Sequence, residues 1–387
     1  MMTAPRSAYA VRHTRAIVDA ARASHPFYRR WIADPDRPPI LDRATFLAHN
    51  DELLLGRPAT GATSGSTGVP VRFAQSDAWR RIAREDADRF VRQLGGPLPA
   101  IRLLHVDHAA PPNTLSVAAP LEAQLAFIQR RRDQGAATLI TYPTHAETLA
   151  RAVLNRGLDT SFLRRFGLIG ENVEPAHKDL IARAFPTARI WTTYSSLEFG
   201  LIASMCPFEP DFHHINAHRL GVEVLRDDGE PAAEGERGRV ILTDYVNRLT
   251  PFIRYEIGDL AARGRCPCGR IPLPAFRQIH GKVRGALLHR NGERVLFADL
   301  SVRLRDLPGM RQYQVVQHSL EAFTVRVVAD RPLDAEVRAA FTTHFGYTPA
   351  DVQIEPVAQI PRGPNGKFYA SICEVDARPA ARPPGSA

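Results

Sequence analysis

The chain is poor in the residues that staple small folds. With 4 cysteines in 387 residues it is no disulfide-stapled miniprotein. Its 26 glycines and 31 prolines are too few for a collagen repeat, and 44% hydrophobic residues exclude a disordered chain. No apolar run approaches the roughly 18 residues of a membrane span. The opening residues, MMTAPRSAYAVRHTRAIVDAARASHPFYRRW, lack the long apolar core of a secretory signal. A cytoplasmic protein with no membrane partner is therefore expected. Lysine is scarcest of the charged residues: Lys178, Lys282 and Lys367 are the three among 50 basic residues. That arginine bias fits a GC-rich coding sequence.

A length of 387 residues suggests two or three domains, enough chain to bury a core without staples. The net charge of +9 raises the question of an acidic partner. The arginines, however, are scattered among 41 acidic residues with no basic stripe and no interleaved aromatics, so a diffusely basic solvated surface is the better reading and nucleic acid is not an expected partner.

Residues 8–35 carry helical periodicity before the aromatic group Phe27, Tyr28 and Trp31. From about 60 to 260, short apolar runs such as IRLLHVDH, ATLITYP, RRFGLIG and ARIWTTY alternate with helical stretches such as AAPLEAQLAFIQRRRD, HAETLARAVLNRG and HKDLIARAF. This alternation predicts βαβ units and a largely parallel sheet. Segments GVEVLRDDGEP, GRVILTDYV and TPFIRYEIGDLAA are β-rich and turn-separated, and predict a smaller antiparallel subdomain. After 282 the order of strands and helices predicts a compact α+β domain of about 100 residues. The ending ARPAARPPGSA reads as a disordered tail.

Several segments carry chemistry. Thr63-Ser64-Gly65-Ser66-Thr67-Gly68-Val69-Pro70 is rich in glycine and hydroxyls, which lets backbone N–H groups and side chains approach a phosphate closely; the same composition suits a plain surface loop. It lacks the GK[ST] ending of a Walker loop. Cys206, the pair His213 and His214, and Cys266-Pro267-Cys268 offer three thiolates and an imidazole, the donor set of a tetrahedral structural zinc site; buried free cysteines are the other reading. Cys373 stands alone in a strand-like stretch and reads as core. His105-Val106-Asp107-His108 and Tyr142-Pro143-Thr144-His145 follow apolar strands, where they either line a ligand pocket or make simple loop contacts.

Read together and in order, the motifs resemble the adenylate-forming superfamily, which includes acyl-CoA ligases and nonribosomal adenylation domains. TSGSTGVP resembles its phosphate-binding loop. Gly170-Glu171-Asn172 resembles the adenine-side segment, Tyr194-Ser195-Ser196-Leu197-Glu198 the YGxTE segment, Tyr255 to Asp259 the Y-x-x-GD signature, and Pro361 to Lys367 the C-terminal P-x-x-x-x-GK loop. The short N-terminus and the cysteine inserts look most like the phenylacetate-CoA ligase-like branch.

The resemblance implies roles for individual residues. Thr63, Ser64, Gly65, Ser66, Thr67 and Gly68 would hold the phosphates of ATP, and Gly170, Glu171, Tyr194 and Ser195 its adenine side. Asp259 would take the ribose hydroxyls and Lys282 a phosphate or ribose oxygen. Glu198 would hold Mg²⁺, and Lys367 would neutralise the charge that develops on the α-phosphate. Two departures stand out. Leu197 occupies a family Thr or Ser position, with Ser195 or Ser196 as the compensating hydroxyl, and Lys282 replaces an arginine at the junction Gly281-Lys282-Val283-Arg284-Gly285. Members of the branch bind zinc through similar inserts with the histidine just before an isoleucine, which favours Cys206, His214, Cys266 and Cys268.

The expected fold is α/β: a large N-terminal adenylate-forming domain over 1–281 with a β-rich subdomain, a small mobile α+β lid over 282–376, and a tail over 377–387. The implied activity is formation of an acyl-adenylate from ATP and a carboxylic acid, aromatic or arylacetic by resemblance, followed by transfer to coenzyme A. A carrier-protein thiol or an amine is the alternative acceptor, and a noncatalytic nucleotide-binding homologue the alternative from another class. The expected cofactors are ATP, Mg²⁺, coenzyme A and structural Zn²⁺, and a homodimer is an allowed assembly.

Overall fold

A computed structural model describes residues 8–375 apart from 64–69, 94–99, 105–112, 172, 174, 227, 283–286, 296 and 361–367. The described residues divide into two compact units, the first ending at Gly281 and the second beginning at Lys282. No helix among them is long and apolar enough to cross a membrane.

An eleven-stranded sheet organises the first unit. Its parallel half runs through Thr114–Ser116, Ala100–Leu104, Thr138–Thr141, Arg165–Leu168 and Arg189–Ser196. The helices Leu121–Arg132, Pro143–Arg156 and Pro175–Ala184 make the crossovers. The central strands Thr138–Thr141 and Arg165–Leu168 are short and largely buried, as parallel strands under helices are: Leu139, Phe166 and Leu168 pack with Leu149, Ile181 and Phe185 in one core. Pro143 opens its helix, where its missing N–H costs nothing, and Gly157 ends it in the left-handed region at φ 58°.

The segments expected to form a smaller antiparallel subdomain supply Leu220–Leu225, Arg237–Asp244 and Tyr255–Gly264, which do pair antiparallel. They continue the same sheet, through Ala275–Lys282, His213–Ile215 and Gly200–Met205. What makes them distinct is their own core: Val240, Leu242, Phe252 and Tyr255 pack against Ile17, Tyr28 and Phe46 of the N-terminal helices. The Tyr28 hydroxyl donates to the Pro251 carbonyl, and Asp42 caps the helix Arg43–Ala48 by accepting from Thr45 N at 2.7 Å.

The second unit holds a four-stranded sheet ordered Asp351–Pro356, Ala322–Ala329, Met310–Gln317, Ser371–Cys373. The helices Phe297–Arg305 and Asp334–Phe345 bury Leu300, Leu304, Val337 and Phe341 with Val315, Phe323 and Val325 of the sheet.

Candidate active site and metal centre

Open α/β sheets bind ligands at the carboxyl ends of their parallel strands, and Arg189–Ser196 ends on the most chemically loaded turn of the chain. It pairs with Gly200–Met205 across a hairpin whose loop is Leu197, Glu198 and Phe199, closed by Gly200 at φ 63°. Glu198 is buried at 6% exposure while its neighbour Leu197 is 63% exposed. The turn thus points the carboxylate inward and the apolar side chain outward. Phe199 N donates to Ser196 Oγ at 3.2 Å, which closes the turn from inside; Ser195 is exposed.

Asp259 reaches the same neighbourhood through a backbone irregularity. Arg239 pairs with Leu260 but Ile241 with Glu256, so three residues, 257 to 259, bulge against Val240 alone. Gly258 at φ 83° supplies the conformation that such a bulge requires. The bulge presents Asp259, 4% exposed, to Tyr194, whose hydroxyl donates to its Oδ2 at 2.5 Å. Burial first, then the Asp259 carboxylate, pushes the Tyr194 phenol well above its ordinary range, and Glu198 adds to the effect. Tyr194 is therefore a permanent neutral donor, and its ring meets Phe276 edge-on at 5.9 Å.

The remaining nucleotide-side residues are only partly placed. Thr63 anchors the glycine-rich loop: its N donates to Val71 O at 2.9 Å, and its hydroxyl oxygen accepts from Val71 N at 3.0 Å and Arg43 Nη1 at 3.2 Å. Ser64, Gly65, Ser66, Thr67 and Gly68 lie outside the described residues, as do Lys367 and the His105, Asp107, His108 group. Gly170 takes φ 78°. Beside it, Glu171 Oε2 accepts from the Thr144 amide at 3.0 Å and hydroxyl at 2.8 Å, a carboxylate at the positive end of the helix Pro143–Arg156. Lys282 is the last residue of the strand Ala275–Lys282. His145 is a core histidine, 5% exposed and bonded to Gln124 Oε1 at 2.6 Å.

Sequence reasoning missed the residues behind the Glu198 turn. Gln75 Nε2 donates to Leu197 O at 3.1 Å and Glu198 O at 3.0 Å. Arg219, 1% exposed, donates to Phe199 O and pairs with the fully buried Asp244 at 3.2 Å. No local signal marks them, because a buried arginine in an arginine-rich chain looks like any other.

The four cysteine and histidine candidates do converge. The ligand atoms of Cys206, His214, Cys266 and Cys268 lie within 4.8 Å of one another. Zinc bonds of about 2.3 Å to sulfur and about 2.0 to 2.1 Å to nitrogen, at a tetrahedral angle, set sulfur and nitrogen about 3.6 Å apart. Cys268 Sγ stands 3.6 Å from His214 Nε2. His214 Nδ1 donates to Leu273 O at 3.2 Å, which leaves the lone pair on Nε2, the nitrogen that faces the thiols. Phe208 N donates to Cys206 Sγ at 3.5 Å. Burial raises the Cys268 thiol, but the amides of Arg270 and Ile271 and the neighbouring thiols outweigh it and bring it down. Cys266 is pushed up to about 12, by burial above all. The donor set fits a structural Zn²⁺ closed by four protein ligands. His213 stays out: its Nε2 is engaged with Thr192 Oγ1 at 2.7 Å, and burial pushes it down to about 4.

No family model and no curated protein matches the sequence. Solved structures do match in shape. A 2-hydroxyisobutyryl-CoA ligase in the postadenylation state, in complex with 2-HIB-AMP, superposes with a TM-score of 0.72 at 19% identity, over 96% of this chain and 94% of that one. The same ligase with 2-HIB-AMP and CoA in the thioesterification state gives 0.63 at 20% identity, over 97% and 91%. The amide bond synthetase McbA from Marinactinospora thermotolerans gives 0.54 at 19% identity, over 78% and 66%. The chain has the fold of the adenylate-forming ligases.

Proposed function

We propose that the protein activates a carboxylic acid with ATP and passes the acyl group to the thiol of coenzyme A, as a member of the phenylacetate-CoA ligase-like branch acting on an aromatic or arylacetic acid. The observation that carries the reading is the placement of Glu198 and Asp259 in one unit: two buried carboxylates, one delivered by a hairpin turn and the other by a bulge within a strand, with Tyr194 donating to the second. In this reading a carboxylate oxygen of the acid attacks the α-phosphorus of ATP and pyrophosphate leaves. The thiol sulfur then attacks the acyl carbon, its proton passes to solvent, and AMP leaves.

Glu198 would hold Mg²⁺, which when bound neutralises the phosphate oxygens. Asp259, which accepts from the Tyr194 hydroxyl, would take the ribose hydroxyls. Lys367, in a sequence segment rich in glycine and proline, would supply positive charge to the reacting oxygens; Thr63, which precedes the glycine-rich segment, bonds to Val71, which follows it. Lys282 would contact phosphate or ribose, and Gly170, Glu171 and Ser195 would border the adenine. Cys206, His214, Cys266 and Cys268 would hold a structural zinc.

The test is acid-dependent exchange of labelled pyrophosphate into ATP over a panel of aryl, arylacetic and aliphatic acids. Exchange with one acid class is expected, reduced about 10²- to 10³-fold in Lys367→Ala, the range for loss of one charge-stabilising group. AMP release that needs coenzyme A identifies the acceptor, and release with a carrier-protein thiol or an amine instead reassigns it. ATP binding with no exchange for any acid would overturn the reading in favour of a noncatalytic homologue.

A further inference from the structure

The turn that carries Glu198 is gripped by its backbone. Three successive carbonyl oxygens, those of Leu197, Glu198 and Phe199, each accept a hydrogen bond from a buried side chain of a distant segment: Gln75 for the first two, Arg219 for the third. Three-residue hairpin loops form without such help. Donors on three consecutive carbonyls restrict rotation of the peptide planes on both sides of the Glu198 Cα, and so fix the direction in which its side chain leaves the backbone.

The two donors are themselves tied together. Asp244 Oδ2 receives Arg219 Nη1 at 3.2 Å and the indole N–H of Trp79 at 2.7 Å. Its Oδ1 receives Val246 N at 2.8 Å. The Arg219 guanidinium lies 5.3 Å from the Trp79 ring centroid, and Gln75 N donates to Thr60 Oγ1 at 2.8 Å. Gln75 and Trp79 belong to one stretch, just after the strand Arg72–Phe73 that follows the glycine-rich loop, where the helix Asp77–Gln93 begins. A buried ion pair is a poor device for stability, since apolar residues of the same volume do as well. Directional donors aimed at the backbone of a single turn are something apolar residues cannot supply.

We propose that Gln75 and Arg219, the latter held by Asp244 and Trp79, are positioning residues that fix the Glu198 carboxylate with respect to the segment leaving the glycine-rich loop. What the carboxylate does once fixed rests on the adenylation reading; the clamp itself does not.

Gln75→Met keeps the volume and removes the Nε2 amide that donates to the Leu197 and Glu198 carbonyls, Trp79→Phe removes the indole N–H and keeps an aromatic ring, and Arg219→Lys keeps the charge and loses the fork. In the full chain, each is measured for acid-dependent pyrophosphate exchange, for thermal stability, and for amide hydrogen exchange by mass spectrometry. Gln75→Met is expected to lower kcat about 10²-fold, the effect of roughly 1 Å of misplacement at a catalytic group, with the KM for ATP much less affected. Amide exchange should quicken over 196–200 and keep wild-type protection in the strands of the parallel half. Trp79→Phe should show the same pattern more weakly. A lowered melting temperature with kcat per folded molecule and exchange over 196–200 both unchanged would overturn the proposal. Should the wild-type chain exchange pyrophosphate with no acid, adenylation fails, and amide exchange alone decides the clamp: quickening confined to 196–200 supports it, and none refutes it. If Arg219→Lys does not fold, the other two variants carry the test.

Discussion

Chelation of the zinc proposed for the Cys206, His214, Cys266, Cys268 cluster is the sharpest perturbation to make. The cluster joins three pieces of chain: the end of Gly200–Met205, the strand His213–Ile215, and the loop between Tyr255–Gly264 and Ala275–Lys282. Without a cation those pieces are linked by thiols and an imidazole that have little to offer one another. A ligand bound only by the folded chain, at a thousand times its Kd, stabilises by about 4 kcal/mol. At roughly 2 to 4 °C per kcal/mol for a domain of about 150 to 250 residues, its loss should lower the melting temperature by about 8 to 16 °C. The reaction should suffer far less. The strand Gly200–Met205 has six residues at about 3.3 Å each, so the cluster lies about 20 Å along the strand from the Glu198 turn.

The assay is elemental analysis of protein purified without chelator, with thermal unfolding before and after chelation and after zinc is restored. About one zinc per chain is expected. Cys266→Ser should lose both the metal and its stabilisation, whereas Cys373→Ser should keep both, since Cys373 lies in the second unit, bonded to Gln317 Oε1 at 3.4 Å. A metal-free protein whose melting temperature ignores added zinc would refute the assignment, as would a Cys266→Ser variant that binds as much zinc as the wild type.

Tyr194→Phe removes the donor to Asp259 Oδ2 and leaves the ring; a hydrogen bond of about 0.5 to 1.5 kcal/mol predicts a change of roughly 2- to 13-fold in the KM for ATP, read from exchange kinetics. His25 is fully buried, with Nε2 3.2 Å from Leu249 O, and burial above all lowers its pKa from 6.5. The unfolded chain therefore binds the extra proton first. Its contribution is whole above pH 6.5 and is lost as pH falls from 6.5 toward the lowered folded value. Denaturant unfolding from pH 7.5 to 5 should show that slope in the wild type and a flatter one in His25→Gln. Gly238→Ala would set a Cβ 2.5 Å from Leu225 O and 3.0 Å from Val224 Cγ1, an overpacking that should cost about 1 to 3 kcal/mol in chemical denaturation.

The parallel half of the sheet is legible because short apolar strands and periodic helices alternate in the sequence: Thr138–Thr141 and Arg165–Leu168 fall within the segments expected, and Ala100–Leu104 and Arg189–Ser196 overlap theirs. The helix Asp77–Gln93 is not, since nine of its seventeen residues are charged and only Trp79 and Phe90 are buried among its described side chains. Nor does local pattern show that the antiparallel strands continue the same sheet: both arrangements need the same alternation, and the link is made by the three-residue strand His213–Ile215. At the site, Glu198, Asp259 and the zinc-type ligands are visible as residue types with characteristic neighbours. Gln75, Arg219 and Asp244 are visible only in three dimensions, because what distinguishes them is convergence on a backbone that lies more than a hundred residues away from Gln75.

The departure at Leu197 takes on a different meaning in this light. A threonine there would offer a hydroxyl to phosphate, and its absence reads as a loss when side chains alone are compared. In the structure the leucine side chain is 63% exposed while its carbonyl is bound by Gln75, so the position serves the turn through its backbone. The Ser196 hydroxyl accepts from Phe199 N, and Ser195 is exposed on the strand beside it. Both carboxylates are delivered where regular strand geometry breaks, at a hairpin loop and at a bulge. Sequences depart from local consistency at sites of function and compensate elsewhere; here the compensation is the buried Gln75, Arg219 and Asp244, whose hydrogen bonds hold the irregular turn in one conformation.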